Sequence, residues 1–140
     1  MEAKDLRIGN LVNYKIVDKL DSRKEWYEVS KIDIDDLRVL QVKDEMNQDY
    51  EPIPLTEEWL LKFGFEKVIY ESDETGYNND YELDIKGVGL ISYSDDFSCA
   101  LFGSKESSKD ELGFLPNWDN CKHVHQFQNL YFALTGQELT

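Results

Sequence analysis

The stretch from Asp119 to Thr140 constrains the chain most, because it carries the broadest apolar stripe at helical spacing. Val124, Phe127, Tyr131 and Leu134 recur at steps of three and four, and Leu130 widens the stripe. Asp119 or Asn120 stands where a cap for the first turn is wanted, and Gly136 where a helix ends on a left-handed residue. Burying these side chains contributes roughly 8–15 kcal/mol gross, at about 1.5–3 each, before ordering entropy is subtracted. A sheet from the rest of the chain is therefore expected to be built against this helix.

The residues before it read as short strands separated by polar turns. Leu6 to Val12 places a Gly-Asn turn between apolar pieces, and Leu11–Val17 and Trp26–Ile34 alternate as two strands, with a bulge or bend allowed near Val29 and Ile32. Asp35-Asp36 reads as a turn and Leu37–Val42 as a third strand. Asp44–Pro54 is a loop by composition, and Pro52 and Pro54 make its end stiff and extended. Thr56 caps a short helix with Glu57 and Glu58 in its first turn, Gly64 ends it, and Phe65 folds back over the end.

Val68–Tyr70 opens a second set of strands, and Ser72–Asp80, with Gly76, Asn78 and Asn79, reads as a loop. Tyr81–Ile85, Val88–Tyr93 and Phe97–Phe102 form a meander, and Ser104–Glu111 a polar link. Phe114, Leu115 and Trp118 make an apolar patch before the last helix. The fold class expected is α+β: a small N-terminal β module, a short helix, and an antiparallel sheet of three to four strands packed by the C-terminal amphipathic helix. Residues 1–140 make one compact domain, with 1–50 and 51–140 as sub-modules.

Composition bounds the function. At 41% hydrophobic and 13% aromatic residues the chain is globular rather than disordered. A net charge of −14, from 29 acidic and 15 basic residues, repels a polyanionic backbone, so direct nucleic-acid binding is not expected. The polar start Met1–Asp5 lacks a signal-peptide pattern, and no apolar run approaches the roughly 18 residues of a membrane span. Cys99 and Cys121 make no disulfide framework, so the expected location is a reducing cytoplasm.

Two longer blocks and an opening motif carry a resemblance. Pro52-Ile-Pro-Leu-Thr-Glu-Glu-Trp-Leu-Leu-Lys-Phe-Gly-Phe65, Val124-His-Gln-Phe-Gln-Asn-Leu-Tyr-Phe-Ala-Leu-Thr-Gly136 and the opening Leu6-Arg-Ile-Gly-Asn-Leu-Val12 resemble a family of small uncharacterised proteins of Bacteroidales phages and prophages. Phe127 stands where that family carries Leu. The resemblance covers about a quarter of the chain. It implies a phage-related cytosolic protein of gut bacteria, and it transfers no activity. Gln128-Asn-Leu-Tyr-Phe132 looks like a protease tag but lies inside the helix pattern and is native.

Chemistry-bearing clusters are sparse. In Cys121-Lys-His123-Val-His125, Cys121 and His125 would share a helix face as two metal ligands, yet a site needs three or four, and no metal or cofactor is expected. The bland alternative is a helix start with a partly buried cysteine and two surface-leaning histidines. Asp33, Asp35, Asp36, Asp95 and Asp96 are explained by turns, and neither Ser92 nor Ser98 lies on a sharp glycine elbow.

The leading expectation is a non-enzymatic accessory protein that binds a host or phage protein. A small enzyme with a carboxylate or cysteine site and a structural component are the alternatives. The acids cluster in Asp44–Glu58 and Glu71–Asp84, stretches without Lys or Arg, which suggests one acidic face for a basic partner. Tyr50, Asp73, Glu74, Tyr77 and Asp80 are the candidate protein-binding residues, the tyrosines supplying contacts that charge alone lacks.

Overall fold

The computed structural model describes residues 6–42, 49–72, 76–94, 97, 99–102, 112–113 and 121–139, with backbone alone at 41–42, 72, 76–78, 100–102 and 112–113. The class is α+β. Its contacts divide into two compact units, one of residues 1–54 with 123–138 and one of 55–122 with 139–140.

In the first unit, β1 (Leu11–Val17) pairs antiparallel with β2 (Glu25–Lys31) without a slip, from Leu11 opposite Lys31 to Val17 opposite Glu25. The short β3 (Tyr50–Glu51) pairs antiparallel on the other side of β1, giving the order β2-β1-β3. Alternation sends Val12 and Tyr14 to one face, where Leu6, Val12, Ile32, Leu40 and Tyr50 form a buried cluster against Tyr14 and Leu37.

Ile34–Val42 is a helix, α1, where the sequence reading expected a turn and a strand. The reason is a capping box. Asp33 Oδ1 accepts the backbone N–H groups of Asp35 and Asp36 at 2.8 and 2.9 Å, and Asp36 Oδ2 accepts that of Asp33 at 2.9 Å. These donations hold the Asp33 carboxyl below its ordinary range, chiefly through the Asp36 N–H. Leu37 and Leu40 then turn to one side at helical spacing, Leu40 being buried.

The C-terminal helix α3 (Val124–Thr135) belongs to this unit and packs on β1, so the antiparallel sheet it covers here is the N-terminal one. Val124 and Phe127 are wholly buried, together with Gln128 and His125. Gly136 ends the helix as expected, at φ 70°, its N–H bonded to the Phe132 carbonyl at 2.7 Å. The start differs: the N-cap is His123, and the expected caps Asp119 and Asn120 lie outside the described residues. Extended backbone persists to His123 because Pro54 and His123 form an antiparallel bridge and Ile53 accepts the Val124 N–H at 2.8 Å.

The second unit begins with α2 (Glu57–Lys62). Thr56 Oγ1 accepts the Trp59 N–H, and Gly64 turns the chain at φ 94°, where a side chain would be strained. Phe65 donates its N–H back to Leu60 and is buried, as its position after Gly64 suggested. An antiparallel sheet follows in the order β4 (Glu66–Ser72), β5 (Gly76–Ile85), β6 (Gly89–Tyr93), β7 (Cys99–Phe102) and β8 (Leu112–Gly113). The expected loop Ser72–Asp80 is instead largely strand, since β4 and β5 pair from Glu66 opposite Glu82 out to Ser72 opposite Gly76. Tyr81, Ile85, Ile91 and Tyr93 are buried, and Phe65 meets Tyr93 edge-on with ring centroids 5.6 Å apart.

Candidate functional site

The predicted contact residues fall in both units and, in part, outside the described residues. Tyr50, in the first unit, is 7% exposed and is a core residue rather than a surface anchor. Its ring lies 5.1 Å from that of Tyr14, its cross-strand partner, and its hydroxyl donates to Asp36 Oδ1 at 2.8 Å. Burial above all, and then that carboxylate, push its pKa well above the ordinary tyrosine value. Tyr77 and Asp80 belong to β5 of the second unit, opposite Glu71 and Val68. Asp73 and Glu74, like Asp44 and Glu45, lie outside the described residues.

Register does gather some acids. Asp80, Glu82 and Asp84 alternate along β5 to one face, and the pairing sets Glu66, Val68 and Tyr70 of β4 on that same face. Tyr70 donates to Glu82 Oε1 at 2.6 Å, and that bond, helped by partial burial, raises its pKa to about 12. Asp49 and Glu51 belong to the other unit, where Glu51 accepts the Tyr27 hydroxyl at 2.9 Å. That bond raises the pKa of Tyr27.

Strand β2 supplies a surface apart from the acidic stretches, with Trp26 and Tyr27, aromatic residues that could serve as interface anchors by type but more readily read as core or strand-face residues. It lies at the edge of its sheet, and six of its seven residues are exposed. Trp26, Tyr27 and Val29 expose 43%, 42% and 53% of their surface, and Val17 on the neighbouring strand 45%. Tyr27 and Val29 share a face with Val17, crossed by the Lys15–Glu25 ion pair at 2.7 Å. Trp26 points to the other face, its indole N–H bonded to Glu28 at 2.9 Å. The signal was present in the run Trp-Tyr-Glu-Val: apolar side chains on both faces of a strand in a three-stranded sheet exceed what one core can cover.

The Cys121–His125 cluster is not helical at its start, so Cys121 and His125 do not share a helix face as expected. His123 is the N-cap, its N–H accepted by Gln126 Oε1 at 3.1 Å, and His125 is buried at 4% exposure instead of leaning outward. Among the described residues no group of three or more His, Cys, Asp or Glu side chains is placed to hold a metal ion.

Cys121 instead meets Tyr93, the cross-strand partner of Cys99. Tyr93 Oη donates to the Cys121 carbonyl at 3.1 Å and lies 3.2 Å from its sulfur. Burial pushes the Tyr93 and Cys99 pKa values up, whereas the bond from the Cys99 thiol, followed by that from Tyr93, draws Cys121 down.

No family model, curated protein or solved structure matches this chain. No helix among the described residues is long and apolar enough to cross a membrane.

Proposed function

We propose that the protein is a non-enzymatic accessory factor that binds another protein, using the edge strand β2 as its contact. The observation that carries this reading is the exposure of Trp26, Tyr27 and Val29 along a seven-residue strand that, among the described residues, pairs with β1 on one side only. Large amphipathic rings are the residues that most often anchor protein contacts, and an open strand edge offers backbone donors and acceptors to an added strand. The net charge of −14 favours a basic partner and speeds its approach. The blocks Pro52–Phe65 and Val124–Gly136 support a phage or prophage setting in the bacterial cytoplasm, with a host or phage protein as the partner.

The test is capture from host lysate on the immobilised chain, at low and high salt, beside Val29→Lys and Trp26→Ala. A partner lost in both variants, and weakened by salt, supports the reading. A partner held equally by all three proteins at both salt concentrations overturns the assignment to β2 and to charge.

A further inference from the structure

We propose that Cys99 and Cys121 form a thiol pair that closes to an intramolecular disulfide within the folded second unit. The chain has two cysteines in all, distant in sequence, and both are buried. Tyr93 and Cys99 are direct cross-strand partners on β6 and β7, so their side chains leave the same face of the sheet. The Tyr93 hydroxyl reaches both the carbonyl and the sulfur of Cys121, which fixes that residue over the same face. Tyr93, beside Cys99 on the strand pair and bonded to Cys121 at its hydroxyl, thus brings both cysteines against one side chain. Cys99 is 8% exposed and Cys121 7%, so neither thiol has a competing solvent role.

The contact also divides the labour. Cys121, whose sulfur accepts from the Tyr93 hydroxyl, is the attacking sulfur, and Cys99 is the resolving one. The oxidant class is a small-molecule disulfide, for which glutathione disulfide is the probe. Cys121 attacks one of its sulfurs, the sulfur–sulfur bond breaks, and one glutathione thiolate leaves. Cys99 then attacks the Cys121 sulfur of the mixed disulfide and expels the second glutathione thiolate. The two cysteine protons end on the two glutathione thiolates. The protein loses two electrons, and one glutathione disulfide becomes two molecules of glutathione.

Because both thiols are buried, exchange passes through local opening, and the equilibrium reads the pairing better than the rate. The full chain is equilibrated with mixtures of reduced and oxidised glutathione, once folded and once in denaturant, then quenched with acid and read by intact mass and peptide mapping. A positioned pair gives a folded-state oxidation constant at least about tenfold above that of the denatured chain, equivalent to about 30 mV. The product is one internal Cys99–Cys121 bond, reversed by dithiothreitol. Equal constants in the two states overturn the proposal, and so do glutathione-capped or intermolecular products in place of the internal bond.

Discussion

Gln128 Oε1 accepts the backbone N–H of Leu11 at 2.8 Å, tying the C-terminal helix to the first residue of the first strand across nearly the whole chain. Gln128 is 1% exposed, and Asn10, equally buried, donates to the neighbouring Asn129 at 2.9 Å. The helix is thus held by placed polar bonds as well as by Val124 and Phe127. Replacing Gln128 with Leu should cost about 1–3 kcal/mol, because the Leu11 donor is left without its acceptor. Phe127→Ala should cost about 3–5 kcal/mol through lost burial and the cavity left behind. Denaturant unfolding of both variants checks the ordering. A chain truncated after Trp118 should aggregate or unfold, and a cooperative transition in it would remove the helix from the core.

The end of the same helix gives a second, independent expectation. Gly136 sits at φ 70°, and a Cβ added there would meet nothing within 4 Å. Any loss on Gly136→Ala is therefore backbone strain alone, about 1 kcal/mol. A thermal shift beyond that of a conservative surface change, with an unaltered helical circular dichroism spectrum, is the expected result.

Local signals were legible in the sequence where they were unopposed. The stripe Val124, Phe127, Tyr131, Leu134, the Thr56 cap with its Gly64 stop, and the meander after Tyr81 all follow from spacing and turn chemistry within a few residues. Helix α1 is ambiguous in the sequence because Leu37–Val42 fits either period, and the box of Asp33 and Asp36 that decides it has the composition of a turn. The packing of α3 on β1, the inward turn of Tyr50, and the meeting of Tyr93 with Cys121 depend on pairings between distant residues. Tyr50 looked exposed because acids and prolines surround it, yet its direction is set by Tyr14 across the strand pair.

That direction makes Tyr50 a residue of stability. Tyr50→Phe keeps the ring on Tyr14 and removes only the bond to Asp36, so it should cost about 1 kcal/mol. Asp36→Ala removes that bond and the acceptor for the Asp33 N–H, and should cost about 1 kcal/mol more through the broken capping box. Because both changes delete the same hydroxyl–carboxylate contact, the double variant should be less destabilised than the sum of the two. Strict additivity in a denaturant cycle would place the two groups out of contact in solution.

Tyr70 gives the pH dependence. Its hydroxyl donates to Glu82 Oε1 at 2.6 Å, and this bond first, with partial burial second, raises its pKa from 10.0 to about 12. The protonated ring is the form that the fold favours, so the stabilisation is complete below the ordinary tyrosine value. It is lost as pH rises from about 10 through about 12, where a phenolate would face the Glu82 carboxylate. Ultraviolet titration of tyrosinate should contain a late step near pH 12 that is missing from Tyr70→Phe. Over the same window, the wild-type chain should lose its stability advantage over that variant. A Tyr70 step at the ordinary value, or an advantage that persists above pH 12, would show that the bond to Glu82 is not held in solution.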